Sequence, residues 1–273
     1  MTRRWCIPLT TIALVLGSLM AAAGTASASV SAHPTIHHVY PASWVHGFRP
    51  GGRMQQPSGA AAKAHGIRNV AESTNWSGYA VNGANGHFSS VAASWTEPKA
   101  TCNGTKYASF WVGLDGYNSN SVEQTGTDSD CVGSSASYYG WYEMYPAFPV
   151  NFSNPVSAGD KITASVTFSG TRTYTLVLKD TTKGWTQTIT KNQSGLARSS
   201  AEVITEAPSS SSGVLPLANF GTVSYGSSAD DGSSMGGQSP TEIVMINNSG
   251  ADKDSTSSIS GSGAFSNTWI RSN

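Results

Sequence analysis

Lys161-Ile162-Thr163-Ala164-Ser165-Val166-Thr167-Phe168 alternates strictly, with Ile162, Ala164, Val166 and Phe168 on one side and hydroxyl-bearing residues on the other. A period of two is the signature of a half-buried β-strand, because successive side chains leave a pleated backbone on opposite faces. Thr173-Tyr174-Thr175-Leu176-Val177-Leu178 follows the same rule, with Tyr174, Leu176 and Leu178 sharing a face. Working outward, short runs bounded by Gly, Asn, Asp and Ser recur at 75–81, 88–96, 107–114 and 137–145. Others lie at 186–190, 201–206, 221–225, 241–247 and 264–270. No window holds a helical period with caps. Many short strands of this kind over about 200 residues predict a single all-β domain, a sandwich or barrel.

The chain before this region has a different character. Arg3 and Arg4, a short apolar core at 12–20 and Ala26-Ser27-Ala28 fit an export signal, predicted over 1–28. The apolar run is too short to span a bilayer, and no later segment is long or apolar enough. Residues 1–70 hold six basic residues and no Asp or Glu, so the rest carries ten basic and sixteen acidic residues, a formal charge of −6. Five of the six histidines also fall there. A basic leader at 29–70 ahead of an acidic domain at 71–273 reads as a removable propeptide, with a basic linker as the other reading. Nucleic-acid binding is disfavoured, since the folded part is acidic.

Cys6 departs with the signal, leaving Cys102 and Cys131. Two cysteines in an exported chain are expected to pair, which stabilises the fold by roughly 3–4 kcal/mol; the alternative is two buried thiols. Neither a zinc site nor any other metal or cofactor is expected, for want of soft or imidazole ligands. The domain's one histidine, His87, lies in the turn-like Asn85-Gly86-His87, and no Gly-x-Ser-x-Gly elbow is present. A serine or cysteine nucleophile therefore lacks its proton shuttle. Catalysis must rest on carboxylates and amides. Trp141, Glu143 and Tyr145 share one face of their strand, as do Glu202, Ile204 and Glu206 of theirs. Gln124 and Asp128 share a face if 122–128 stays extended. One carboxylate can deprotonate a water and one fixed amide can stabilise an oxyanion, so such a set can hydrolyse peptide bonds in acid. The rival is a carbohydrate-active or carbohydrate-binding sandwich, with Glu143 and Glu206 as a glycosidase pair.

Five ordered segments resemble the glutamic peptidases, or eqolisins. They are Asn75-Trp76-Ser77-Gly78-Tyr79-Ala80, Phe110-Trp111-Val112-Gly113-Leu114-Asp115-Gly116, and Gln124-Thr125-Gly126 with Asp128. Trp141-Tyr142-Glu143-Met144-Tyr145-Pro146 is the fourth, and Ala201-Glu202-Val203-Ile204-Thr205-Glu206 with Leu217-Ala218-Asn219-Phe220-Gly221 the fifth. The resemblance implies a bent sandwich of two antiparallel sheets and a secreted acid endopeptidase acting on polypeptides, made with a propeptide. A monomer is expected. By the same resemblance Gln124 is the oxyanion-stabilising amide and Glu206 the general base. Trp111, Asp115, Asp128, Trp141, Glu143 and Tyr145 line the cleft. Glu202 and Glu206 compete for one role; Glu206 is preferred because it ends its strand before Ala207-Pro208. Val203 stands where the family often has Trp, and the cysteines do not match the fungal disulfides, which suggests a bacterial-type branch.

Overall fold

The computed structural model describes residues 52–57 and 69–273. Among these the chain forms eighteen strands and one turn of 3-10 helix, Met235–Gly237. The first six strands are β1 (Val70–Ser73), β2 (Trp76–Asn82), β3 (Ser90–Thr96), β4 (Ser109–Leu114), β5 (Val122–Val132) and β6 (Ser135–Tyr145). The next six are β7 (Val150–Pro155), β8 (Lys161–Phe168), β9 (Thr173–Asp180), β10 (Trp185–Asn192), β11 (Ser200–Glu206) and β12 (Ser209–Ser210). The last are β13 (Gly213–Val214), β14 (Thr222–Asp230), β15 (Ser233–Ser234), β16 (Thr241–Met245), β17 (Asp254–Thr256) and β18 (Phe265–Trp269).

The first sheet runs β1-β16-β2-β11-β4-β5-β6-β7, antiparallel except for the parallel pair β1/β16. The second runs β10-β9-β8-β3-β14-β18-β17, with β15 on β14, and β12–β13 is a separate small ribbon. The sheets pack face to face, giving the expected all-β sandwich. Phe110, Val112 and Leu114 of β4 and Ala201 and Val203 of β11 join Ile162, Val166, Leu176 and Leu178 in one core. Burial of each large apolar side chain stabilises the fold by roughly 1.5–3 kcal/mol. Cys102 and Cys131 are disulfide-bonded, with their Cα atoms 5.3 Å apart.

Every residue of β4 and β11 is buried, as is all of β5 except Val132. A strand buried on both faces needs a second cover, and the first sheet has one on the side away from the core. Met54, Trp76, Trp111, Trp141, Tyr139, Ile204 and Ile243 form a separate apolar cluster there. Met54 falls within 29–70, the stretch expected to be a basic leader, and residues 52–57 of that stretch are described with it. The expected signal segment 1–28 and the rest of 29–70, 69 and 70 excepted, lie outside the described residues.

Gly126 lets β4 and β5 close up under this cluster. A Cβ there would lie 2.2 Å from the Phe110 carbonyl oxygen and 2.5 Å from Trp111 Cβ. Gly126→Ala is expected to destabilise the domain by roughly 1–3 kcal/mol through overpacking. The urea midpoint reads this directly, and an unchanged midpoint would mean the strands part without cost.

Candidate active site

Strand register arranges the outer face of the first sheet in rows. One row is Ala80, Glu202, Gly113, Gln124 and Glu143, taken across β2, β11, β4, β5 and β6. The next is Gly78, Ile204, Trp111, Gly126 and Trp141. The third is Trp76, Glu206, Ser109, Asp128 and Tyr139. Residues paired directly across a ladder point to the same face. The expectation that Gln124, Asp128, Trp111, Trp141, Glu143 and Tyr145 share a face with Glu202 and Glu206 is therefore met.

The rows also separate the two glutamates. Glu202 and Gln124 flank Gly113, two strand spacings or about 10 Å apart at the backbone. Extended Glu and Gln side chains can close that gap around one small group, and glycine puts no side chain of its own between them. Glu206 lies four residues farther along β11, about 13 Å down the strand from the Gln124 row. Gln124, Glu202 and Glu206 all face the same side of the first sheet, Glu202 in the Gln124 row and Glu206 two rows along, beyond Trp111.

Each side chain has distinct surroundings. Gln124 Nε2 donates to Glu143 Oε2 at 2.8 Å, which fixes the amide with its nitrogen toward β6. Among the described residues neither oxygen of the fully buried Glu202 has a close hydrogen-bond partner, the Ser200 hydroxyl and Tyr117 N–H lying near it. Burial pushes its carboxyl well above the usual range; the nearby Ser200 hydroxyl and Tyr117 peptide N–H pull it back, and Asp115 and Glu123 add to the rise. Glu206 is instead held by two donors, Trp111 Nε1 to Oε2 at 2.9 Å and Asn75 Nδ2 to Oε1 at 3.3 Å.

Asp128 accepts from Trp141 Nε1 at 2.6 Å and from the Tyr139 hydroxyl at 3.0 Å. The same hydroxyl lies 2.7 Å from Asp130 Oδ2. One phenolic proton cannot serve two carboxylates, so the arrangement requires a proton on one of them. Burial and the Asp128 charge push Asp130 well above its ordinary value, while burial takes Asp128 to about 7.

Asp115 stands off the rows. Its backbone is left-handed, with φ 71°, and its carboxylate accepts from the Arg198 and Ser199 peptide N–H groups at 2.6 and 2.9 Å. Its observed contacts tie down the loop entering β11, three residues before Glu202, rather than lining the face. Tyr145 is partly buried against the apolar cluster. The role of Asn75 went unread in the sequence: its carboxamide bonds Glu206 and the backbone of residues 53 and 55 together. The sequence signal was its place beside Trp76 at the head of the first family-like segment.

A carboxylate pair for glycoside cleavage needs two carboxyls facing one bond. Glu143 is occupied by Gln124, and Glu206 lies in another row, so the site does not favour that chemistry. Comparison with known proteins agrees. The model of the peptidase A4 family matches residues 74–269. Aspergillopepsin-2 of Aspergillus niger is 30% identical over 219 residues, covering 71% of this chain and 78% of its own. Scytalidopepsin B of Scytalidium lignicola is 31% identical over 192 residues, covering 67% and 72%. A crystal structure of scytalido-glutamic peptidase with a peptide-based transition-state analogue superposes with a TM-score of 0.62 at 26% identity, covering 72% of this chain and 98% of that one. The chain belongs to the peptidase A4 family, the eqolisins, and is a glutamic endopeptidase.

Proposed function

We propose that Glu206 is the proton acceptor that activates the attacking water and that Gln124 stabilises the tetrahedral oxyanion. Glu143 orients the Gln124 amide. The single observation that supports this is that Gln124 and Glu206 stand on one face of the first sheet, in the rows on either side of Trp111. One ionised carboxylate takes a proton from water as oxygen attacks the scissile carbonyl carbon, then returns it to the leaving nitrogen. An amide held by a carboxylate does not have to reorient as the oxyanion forms, which is the advantage of a preorganised donor. Asp128, Trp141, Trp111 and Tyr145 form the surrounding wall, and Asp115 holds β11 in place.

The substrates are polypeptides, the chain acts after export, and residues 29–70 are a leader removed on maturation. Among the described residues no helix is long and apolar enough to cross a membrane. The leader's hold is less electrostatic than its composition suggests: Arg53 is exposed and donates to the neutral Asn120 amide at 2.6 Å.

Gln124→Ala is expected to lower kcat on a denatured protein near pH 4 by about 10²–10³-fold, the usual cost of one oxyanion donor. A correctly folded variant with parental turnover would remove Gln124 from the mechanism. Casein and soluble glycans assayed side by side separate the peptidase from the carbohydrate reading.

A further inference from the structure

Residues 52–55 are held as an extended peptide by contacts that ignore side-chain identity. Asn75 Oδ1 accepts from the Gln55 peptide N–H at 2.8 Å, and Asn75 Nδ2 donates to the Arg53 carbonyl at 3.1 Å. In an extended chain the carbonyl before a residue and the N–H after it point to the same edge. One carboxamide thus reads the backbone on both sides of Met54. On the other edge the Met54 N–H donates to the Gly116 carbonyl at 3.2 Å, and Trp76 Nε1 donates to the Gly52 carbonyl at 3.0 Å. The Gln55 carbonyl accepts from the Thr74 N–H at 2.9 Å.

Met54 itself points into the apolar cluster and is 6% exposed, whereas Arg53 and Gln56 are exposed. The arrangement is that of a peptide substrate: main chain clamped along both edges, one unbranched apolar side chain buried, Arg53 exposed and Gln55 half-buried with its amide donating to Ser209 Oγ at 2.8 Å. Glu206 acquires a purpose in the same network. By accepting from Asn75 Nδ2 and Trp111 Nε1 it fixes which end of the Asn75 amide donates.

We propose that leader residues 52–55 lie in the substrate position, that Asn75 is the main-chain clamp of bound peptides, and that the Met54 pocket is a subsite for unbranched apolar side chains. This rests on the reading of the same face as the peptidase site. Asn75 acts on peptide binding and is a positioning residue.

The test uses the full-length chain carrying Met54→Asp, which puts a carboxyl into the apolar pocket and loosens the strap. Before any leader cleavage is detectable on a gel, its initial rate on a fluorogenic peptide near pH 4 is expected to exceed the parent's by tenfold or more. A synthetic peptide of residues 50–57 should inhibit this variant competitively, raising apparent KM without changing kcat. The same peptide with Met replaced by Asp should inhibit at least about tenfold more weakly. Adding Asn75→Ala should raise both the substrate KM and the inhibition constant by a common factor of about tenfold, as expected for lost main-chain hydrogen bonds. Asn75→Asp should restore both at pH 3, where the neutral carboxyl still donates and accepts, and lose them as it ionises.

Non-competitive or absent inhibition, or an Asn75→Ala effect confined to kcat, would overturn the inference. The peptide experiment stands even if Asn75→Ala does not fold. If the Met54→Asp chain folds and hydrolyses nothing, the peptidase reading of this face fails. If it hydrolyses peptides that the 50–57 peptide does not displace, only the clamp and subsite fail.

Discussion

Glu206→Gln in the processed enzyme is expected to lower kcat by roughly 10²–10⁴-fold on a peptide substrate in acid, the scale of losing a general base. Glu202→Gln is expected to leave kcat within about tenfold of the parent. The contrast follows from position. Both glutamates are buried on the same strand and the same face. Glu206 is the one joined to the Trp111 indole and, through the Asn75 amide, to the main chain of residues 53 and 55. A carboxylate that accepts two N–H bonds keeps lone pairs for the proton of a water. The pH–kcat profile of the processed parent should show an acid limb that vanishes in Glu206→Gln. Equal losses for the two variants, or a larger loss for Glu202→Gln, would reverse the assignment.

The second large effect is on stability. Glu97 is buried beneath β5, where Ser129, Thr127 and Trp95 donate to it at 2.6, 2.5 and 3.4 Å. Burial outweighs these bonds and raises its carboxyl to about 8. Burial, with the Asp115 charge, raises Glu123 to about 9, and burial raises Asp128 and Asp254 to about 7 each. In every case the folded chain binds a proton that the unfolded chain releases near pH 4. Between that pH and the folded values the native state holds more protons, so its stability falls as pH rises. The stabilisation is complete below about pH 4 and is lost through the interval up to 7–9. Each group contributes a slope of at most about 1.4 kcal/mol per pH unit. A domain is stable by only about 5–15 kcal/mol, so a few such groups weaken it severely at neutral pH.

Calorimetry of the full-length chain should therefore show Tm falling by about 10–20 °C between pH 4 and 7.5, given 2–4 °C per kcal/mol for a domain of this size. Glu97→Gln, a neutral stand-in for the protonated acid, should flatten that fall and be relatively more stable at the upper end. A Tm that holds or rises over the interval would contradict the burial argument. The expected acid stability has one cause, carboxyls removed from water on both faces of the first sheet.

The difficult elements for the sequence are the ones this chemistry occupies. β8 and β9 are readable because one face is apolar and the other hydroxylated, so the period of two shows. β5 hides: Asp128-Ser129-Asp130 looks like a turn, yet it is the middle of an eleven-residue strand. Its polar residues are buried because Tyr139 and Trp141 of the neighbouring β6, and Glu97 just after β3 of the other sheet, partner them. β14 was expected only over 221–225 and runs on to Asp230 through a register shift at Gly226. Bulges carry no periodicity to read. β1 and β7 were missed as short edge strands.

Local alternation, residue chemistry and ordered motifs were enough to establish a β-sandwich, a bridged cysteine pair and a hydrolase working with carboxylates and an amide. Those properties are written in neighbouring residues. Which side chains share the face of Gln124, what Glu206 and Asn75 hold, and where residues 52–57 lie were decided by tertiary structure alone. Each depends on the register of strands far apart in the chain, and a shift of four residues along β11 moves a carboxylate by about 13 Å.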